Sequence, residues 1–191
     1  MEYNFTKQDI LACKTFSQDV NTSLYAQRGQ LNDDKRKKDA FIGKLGEVAA
    51  YHLLKGKIEN LTEPDFKIYE AKNKSWDFDL KGERYNVHVK SQNVEQGKKY
   101  GTSWLFQKGN GKARHYDKEI FDQLSPNQYI AFMSVDLVDW SADLKAFVGL
   151  NLLHEKNLFD EPKLTYLQFG NKCAVYFDSL IQHKDLFHDI T

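Results

Sequence analysis

The sequence predicts one α/β (α+β) domain, and three patterns point to that class. Lys35 to Lys55 carries Phe41, Ile42, Leu45, Val48, Ala49, Tyr51, His52 and Leu53 at helical spacing, a wide apolar stripe suited to packing on a sheet. Trp76 to Leu80 and Tyr85 to Gln92 alternate with a period of two around Lys81-Gly82-Glu83, the pattern of a β-hairpin. Tyr129 to Val135 is a near-continuous apolar run, as in a strand covered on both faces. The chain has 191 residues, of which 41% are apolar and 14% aromatic, enough for a sizeable core. Three prolines and no Ser/Pro-rich linker argue against a second independent domain.

Residues 1–30 read as a helical opening on a weak pattern of Ile10, Leu11, Phe16, Val20, Leu24 and Tyr25. Asn32-Asp33-Asp34 supplies the N-cap for the Lys35–Lys55 helix, and Gly56 its stop. Glu59 to Pro64 is expected as a loop and Phe66 to Tyr69 as a strand ahead of the hairpin. Gln96 to Tyr116 is basic, glycine-rich and aromatic, without clear periodicity. Lys118 to Leu124 should be a short helix closed by Ser125-Pro126-Asn127. Ala146 to Leu150 is a further strand. Leu164–Phe169 and Cys173–Phe177 read as a late hairpin around Gly170-Asn171, and Ser179 to Phe187 as a last helix.

No run of about 18 apolar residues is present, so no membrane partner is expected. Met1 to Thr6 lacks a basic segment followed by an apolar one, and Cys13 and Cys173 fit no zinc or redox spacing. A cytoplasmic protein with reduced thiols is the expectation. The net charge is zero but unevenly placed. Residues 1–118 hold 22 Lys and Arg against 16 Asp and Glu, a balance of +6, while residues 119–191 hold 5 against 11, a balance of −6. A basic half can meet a polyanion even when the total cancels.

Strand alternation sends neighbouring side chains to opposite faces. One hairpin face should therefore carry Asp77, Asp79, His88, Lys90 and Gln92, and the other Trp76, Phe78, Leu80, Val87 and Val89. Two carboxylates, an imidazole and an ammonium on one face suit a metal ion and a water beside a phosphate. Mg²⁺ prefers carboxylate and carbonyl oxygens, which makes Asp77, Asp79 and the Val89 carbonyl candidate ligands. Lys90 would position the attacking water, and Gln92 would hydrogen-bond a water or phosphate. Upstream, Gly43-Lys44-Leu45-Gly46-Glu47 places a glutamate in a small, apolar helical stretch, where it could face the hairpin as a further ligand. The bland alternative is a surface glutamate paired with Lys44. Downstream, Lys98, Lys99, Lys108, Lys112 and Arg114 suit phosphates, and Trp104 could stack on a base or pack underneath.

A helix with Gly-x-x-Gly-Glu, a strand, an Asp-bearing strand and a strand ending x-Val-Lys-Ser resembles the PD-(D/E)XK nuclease superfamily. The resemblance covers about residues 34–136, with 137–191 as a C-terminal extension of further strands and helices. It implies a restriction-endonuclease-like core, a central mixed β-sheet flanked by helices. It also implies a Mg²⁺-dependent endonuclease cutting double-stranded DNA, with a homodimer as one expected assembly. Asp77 matches the family's aspartate, with Asp79 as the alternate; Lys90 matches the motif lysine and Glu47 the helical glutamate. The family's motif acid falls at His88. A neutral imidazole is a poorer Mg²⁺ ligand than a carboxylate, so this departure favours Mn²⁺ as the alternative ion, an orienting role for His88, or a domain that binds without cutting. A restriction-type or phage or mobile-element nuclease is the expected activity, with a junction or repair nuclease as a rival.

Overall fold

The computed structural model describes residues 1–20, 32–68, 78–108, 117–164, 167 and 172–183. The chain opens with a short strand, β1 (Glu2–Asn4), then α1 (Lys7–Asp19). Thr6 and Asp9 form a reciprocal capping box at the start of α1, with each backbone N–H donating to the other's side chain. The long helix α2 (Asp33–Leu54) begins at Asn32, whose side chain accepts from the Lys35 N–H at 2.9 Å. The hairpin follows as β2 (Leu80–Lys81) and β3 (Asn86–Asn93), closed by the Gly82 N–H donating to the Tyr85 carbonyl. Next come α3 (Val94–Tyr100), β4 (Ser103–Gln107), α4 (Lys118–Phe121), β5 (Gln128–Asp136), β6 (Ser141–Gly149), α5 (Leu150–Glu155), β7 (Lys172–Tyr176) and α6 (Phe177–Ile181).

Five strands form a mixed sheet in the order β1-β6-β5-β3-β2, and β4 and β7 form a two-stranded antiparallel sheet. Among the described residues, only the β3–β5 pair is parallel within the larger sheet. The chain between those strands supplies the long crossover that a parallel pair requires. Both faces of the larger sheet are covered. Ala131, Met133 and Val135 of β5 enter a core with Ile42, Leu45, Val48 and Ala49 of α2, whereas Ile130 and Phe132 enter a second core with Trp104, Phe106 and Val175. Burial on alternate faces explains why this strand reads as an unbroken apolar run. Among the described residues, no helix is long and apolar enough to cross a membrane.

Several local expectations need correction. Phe66 to Ile68 have no regular secondary structure; Phe66 instead packs edge-on against Phe16 of α1, with ring centroids 6.0 Å apart. The basic 96–116 segment contains α3 and β4 within its described part. The late strand β7 pairs with β4, a ladder partner more than sixty residues upstream in the chain. Residues 165–166 and 168–171, which include the expected Gly170-Asn171 turn, lie outside the described residues, as do 184–191.

Helix α2 sits close to β3. A Cβ added at Gly46 would fall 1.8 Å from the Ser91 Oγ and 2.9 Å from its Cβ. The hydroxyl could rotate away, but the Ser91 Cβ is fixed by the strand. Gly46→Ala should therefore lower stability in urea denaturation by about 1–3 kcal/mol, an overpacking cost. Alanine's intrinsic helix advantage of about 1 kcal/mol opposes that loss. The penalty should shrink in a Ser91→Gly background. An equal penalty in both backgrounds would reject the close approach as the reason for glycine.

Candidate active site

The site forms where the hairpin ladder stops. In β2 only Leu80 and Lys81 pair with Val87 and Asn86. Asp79 lies just before that strand. Its N–H donates to the Val87 carbonyl at 3.1 Å, and its Oδ2 accepts from the Val89 N–H at 2.7 Å. A carboxylate thus takes the place of the next backbone rung and is pinned beside β3. Val89, expected to offer its carbonyl to a metal, engages the site through its N–H, and so fixes Asp79.

Glu47 approaches from α2. It is not the surface glutamate of the bland alternative, although Lys44 is its partner: Lys44 Nζ donates to Glu47 Oε2 at 2.5 Å, and the two side chains are only 6% and 17% exposed. Lys44 also donates to the Asp65 carbonyl at 2.8 Å and lies over the rings of Phe16 and Phe66, 4.5 and 5.4 Å from their centroids. Burial pushes the Glu47 carboxyl up to about 8, and the charge of Asp79 adds to the rise, against the pull of Lys44. Burial also raises Asp79, opposed by the Val89 N–H and by Lys90 and Lys44, while Asp117 adds to the rise.

Lys90 belongs to the other face of β3. Val87 and Val89 join the α2 core and Ser91 meets Gly46, whereas Lys90 Nζ lies 4.9 Å from the Phe106 ring centroid. Its ammonium donates to Asp117 Oδ2 at 3.2 Å. Asp79 feels both Lys90 and Lys44. It is the link between the two faces, made at the sheet edge.

Other expected site residues have different placements. His88 is 8% exposed, and its ring centroid lies 4.8 Å from that of Phe78. Phe78 was expected on the opposite face, but regular pairing begins only at Leu80, so the pleat does not extend back to it. The imidazole packs against an aromatic ring. Gln92 fastens the α3–β4 connection: its Nε2 donates to the Gly101 carbonyl at 3.2 Å and its Oε1 accepts from the Ser103 N–H at 3.0 Å. It clamps that connection with both atoms of its amide. Trp104 is 2% exposed, its indole N–H donates to the Met133 carbonyl at 2.9 Å, and its ring lies 4.7 Å from Phe132. It is part of the second core and offers no stacking surface to a base.

Lys98 and Lys99 are exposed on α3, the first beside Glu95 at 3.1 Å and the second over the Tyr100 ring at 4.9 Å. Lys108 is exposed just beyond β4. Asp77, Lys112 and Arg114 lie outside the described residues. Asp117 and the buried role of Lys44 were not foreseen. Asp117 had one available signal, an acid directly before a short helix, which is indistinguishable from an ordinary cap.

Among the described residues, no group of three His, Cys, Asp or Glu could hold a metal ion. The Glu47–Asp79 pair nevertheless suits a hard divalent cation in donor type. Its two oxygen donors are buried, and their mutual repulsion is of the kind a bound cation relieves. Compared with protein-family models, curated proteins and solved structures, the chain has no match.

A carboxyl with a folded pKa above its unfolded value binds its proton more tightly in the native state. Ionising it therefore costs stability as pH rises from about 4.5 towards about 8. In EDTA, the wild type should lose stability over that window in urea melts, and Glu47→Gln should lose distinctly less. Adding Mg²⁺ at pH 8 should restore wild-type stability more than that of Glu47→Gln. Parallel pH profiles for the two proteins would reject a buried, raised Glu47.

Proposed function

We propose that the chain is a divalent-metal-dependent endonuclease that hydrolyses DNA phosphodiester bonds, of restriction or phage or mobile-element type, on a restriction-endonuclease-like core. The observation that carries this reading is the Asp79 carboxylate, held on the Val89 N–H at 2.7 Å, with its charge acting on Glu47 and the charge of Lys90 acting on it. Asp79 is the alternate to Asp77, which lies outside the described residues. The order of elements supports the reading: α2, the hairpin, and a crossover to the parallel strand β5. Exposed Lys98, Lys99 and Lys108 lie in the basic half of the chain.

Asp79 and Glu47 would hold the cation, Mg²⁺ or Mn²⁺. When bound, it would neutralise phosphate charge and lower the pKa of a nearby water. Lys90 contributes a positive charge beside the phosphate and orients the attacking water in line with the leaving oxygen. Val89 holds the Asp79 carboxylate in place. The partial burial of the site strengthens each of these interactions relative to water.

One observation favours a second reading, a nuclease-like domain that binds nucleic acid or a protein partner without cutting. His88 stands where the family has an acid, and it is packed on Phe78. Supercoiled plasmid incubated with the protein and Mg²⁺ or Mn²⁺ separates the two. The nuclease reading expects nicking that EDTA stops; the binding reading expects a gel shift with intact plasmid. Asp79→Asn and Lys90→Ala should each lower the cleavage rate by about 10²-fold or more, as loss of a charge-stabilising group does elsewhere. Circular dichroism should show both variants folded. Wild-type cleavage rates in both variants would remove this mechanism.

A further inference from the structure

Lys90 carries its charge on a flexible four-carbon stem, so its usefulness depends on what fixes the ammonium. Two neighbours do so. The Phe106 ring face lies 4.9 Å from Nζ, and Asp117 Oδ2 accepts its hydrogen bond at 3.2 Å. Asp117 is itself unusually well anchored. Its Oδ2 also accepts from the Gln107 N–H at 3.1 Å, and its own N–H donates to the Gln107 carbonyl at 3.0 Å. Its carbonyl accepts from the N–H groups of Ile120 and Phe121, which starts α4. One residue is thus locked to the end of β4 and to a helix start, and its carboxylate presents a fixed acceptor to Lys90. Neither side chain is fully exposed, at 25% for Lys90 and 27% for Asp117.

We infer that Asp117 is the positioning residue for Lys90, fixing its ammonium over the Phe106 ring for the cleavage step. The catalytic half of this inference rests on the nuclease reading; the positional half does not. Asp117 does not touch the phosphate. It acts by restricting where the Lys90 charge sits, which affects the reaction more than substrate binding.

Asp117→Asn is the informative variant. The amide keeps an oxygen for the Gln107 N–H, and asparagine is as good as aspartate at a helix start, so the fold should persist. What is lost is the negative charge facing Lys90. The full-length protein is labelled with ¹⁵N-lysine, and the Lys90 ammonium resonance is assigned by its absence in Lys90→Ala. That resonance should be sharp in the wild type and broadened or lost in Asp117→Asn. In plasmid cleavage, kcat should fall about tenfold or more with KM within about twofold, and the loss should vanish in a Lys90→Ala background, as expected for two residues acting as one unit. An unchanged ammonium resonance in Asp117→Asn overturns the inference. A lost resonance with unchanged kcat overturns its catalytic half. If the wild type does not cut DNA, the nuclease reading fails on that ground alone, and the resonance still decides whether Asp117 positions Lys90.

Discussion

The hydrogen bond from the Val89 N–H to the Asp79 carboxylate sets where everything else in the site must be. Among the described residues the β2–β3 ladder pairs no further than Leu80, and the Val89 N–H beyond it needs an acceptor, because an unpaired donor in a partly buried place costs about 1–3 kcal/mol. Water could serve, but so could a side chain, and here an aspartate does. The choice has a chemical consequence. A backbone carbonyl in that place would have finished the sheet and left a neutral edge. A carboxyl finishes the rung and leaves a second oxygen and a titratable charge there, one that acts on Glu47 of α2 and is acted on by Lys90 of β3.

That charge sits in a balance maintained by burial. Glu47 and Asp79 repel one another and are both desolvated, which favours the protonated forms; Lys44 and Lys90 oppose this from the two faces. Lys44 is expensive to remove for the same reason it is present. Breaking one half of a buried ion pair costs about 3–5 kcal/mol, since the remaining charge is left uncompensated. Its ammonium lies over the rings of Phe16 and Phe66, so the otherwise irregular 61–68 segment has a purpose: it helps to cover the cation that makes a glutamate tolerable inside α2.

Much of this was legible wherever local periodicity and burial agree. The α2 stripe, the hairpin and β5 were readable because each repeats its pattern over several residues. Phe66 to Ile68 looked like a strand because aromatic and β-branched residues are enriched both in strands and at packing points, and only the neighbour Phe16 tells them apart. In β4, Trp104 and Phe106 are buried and Leu105 is not, a true period of two that was obscured by the flanking lysines and glycines. The β4–β7 pairing was out of reach, because local turn signals say nothing about partners so distant in the chain. In the site, residue type and spacing single out Glu47, Asp79 and Lys90 as candidates. Gln92 was misplaced because a polar side chain on a strand looks the same whether it meets a ligand or a backbone. Asp117 was missed because its partner, Lys90, is brought to it only by the tertiary fold.

The same reasoning bears on His88. A strand position between two residues of the α2 face points to the other side, and a carboxylate at this buried position would have to be desolvated beside Phe78 or held by a cation. A neutral imidazole can pack against an aromatic ring without that penalty. Histidine at this position therefore gains packing against Phe78. On the proposed reading, Asp79 and Glu47 would then hold the cation, the two carboxyls that burial pushes towards the protonated form. A site that relies on fewer acids depends more on where its lysines are held, which is why the anchoring of Lys90 by Asp117 matters more here than it would beside a full set of carboxylates.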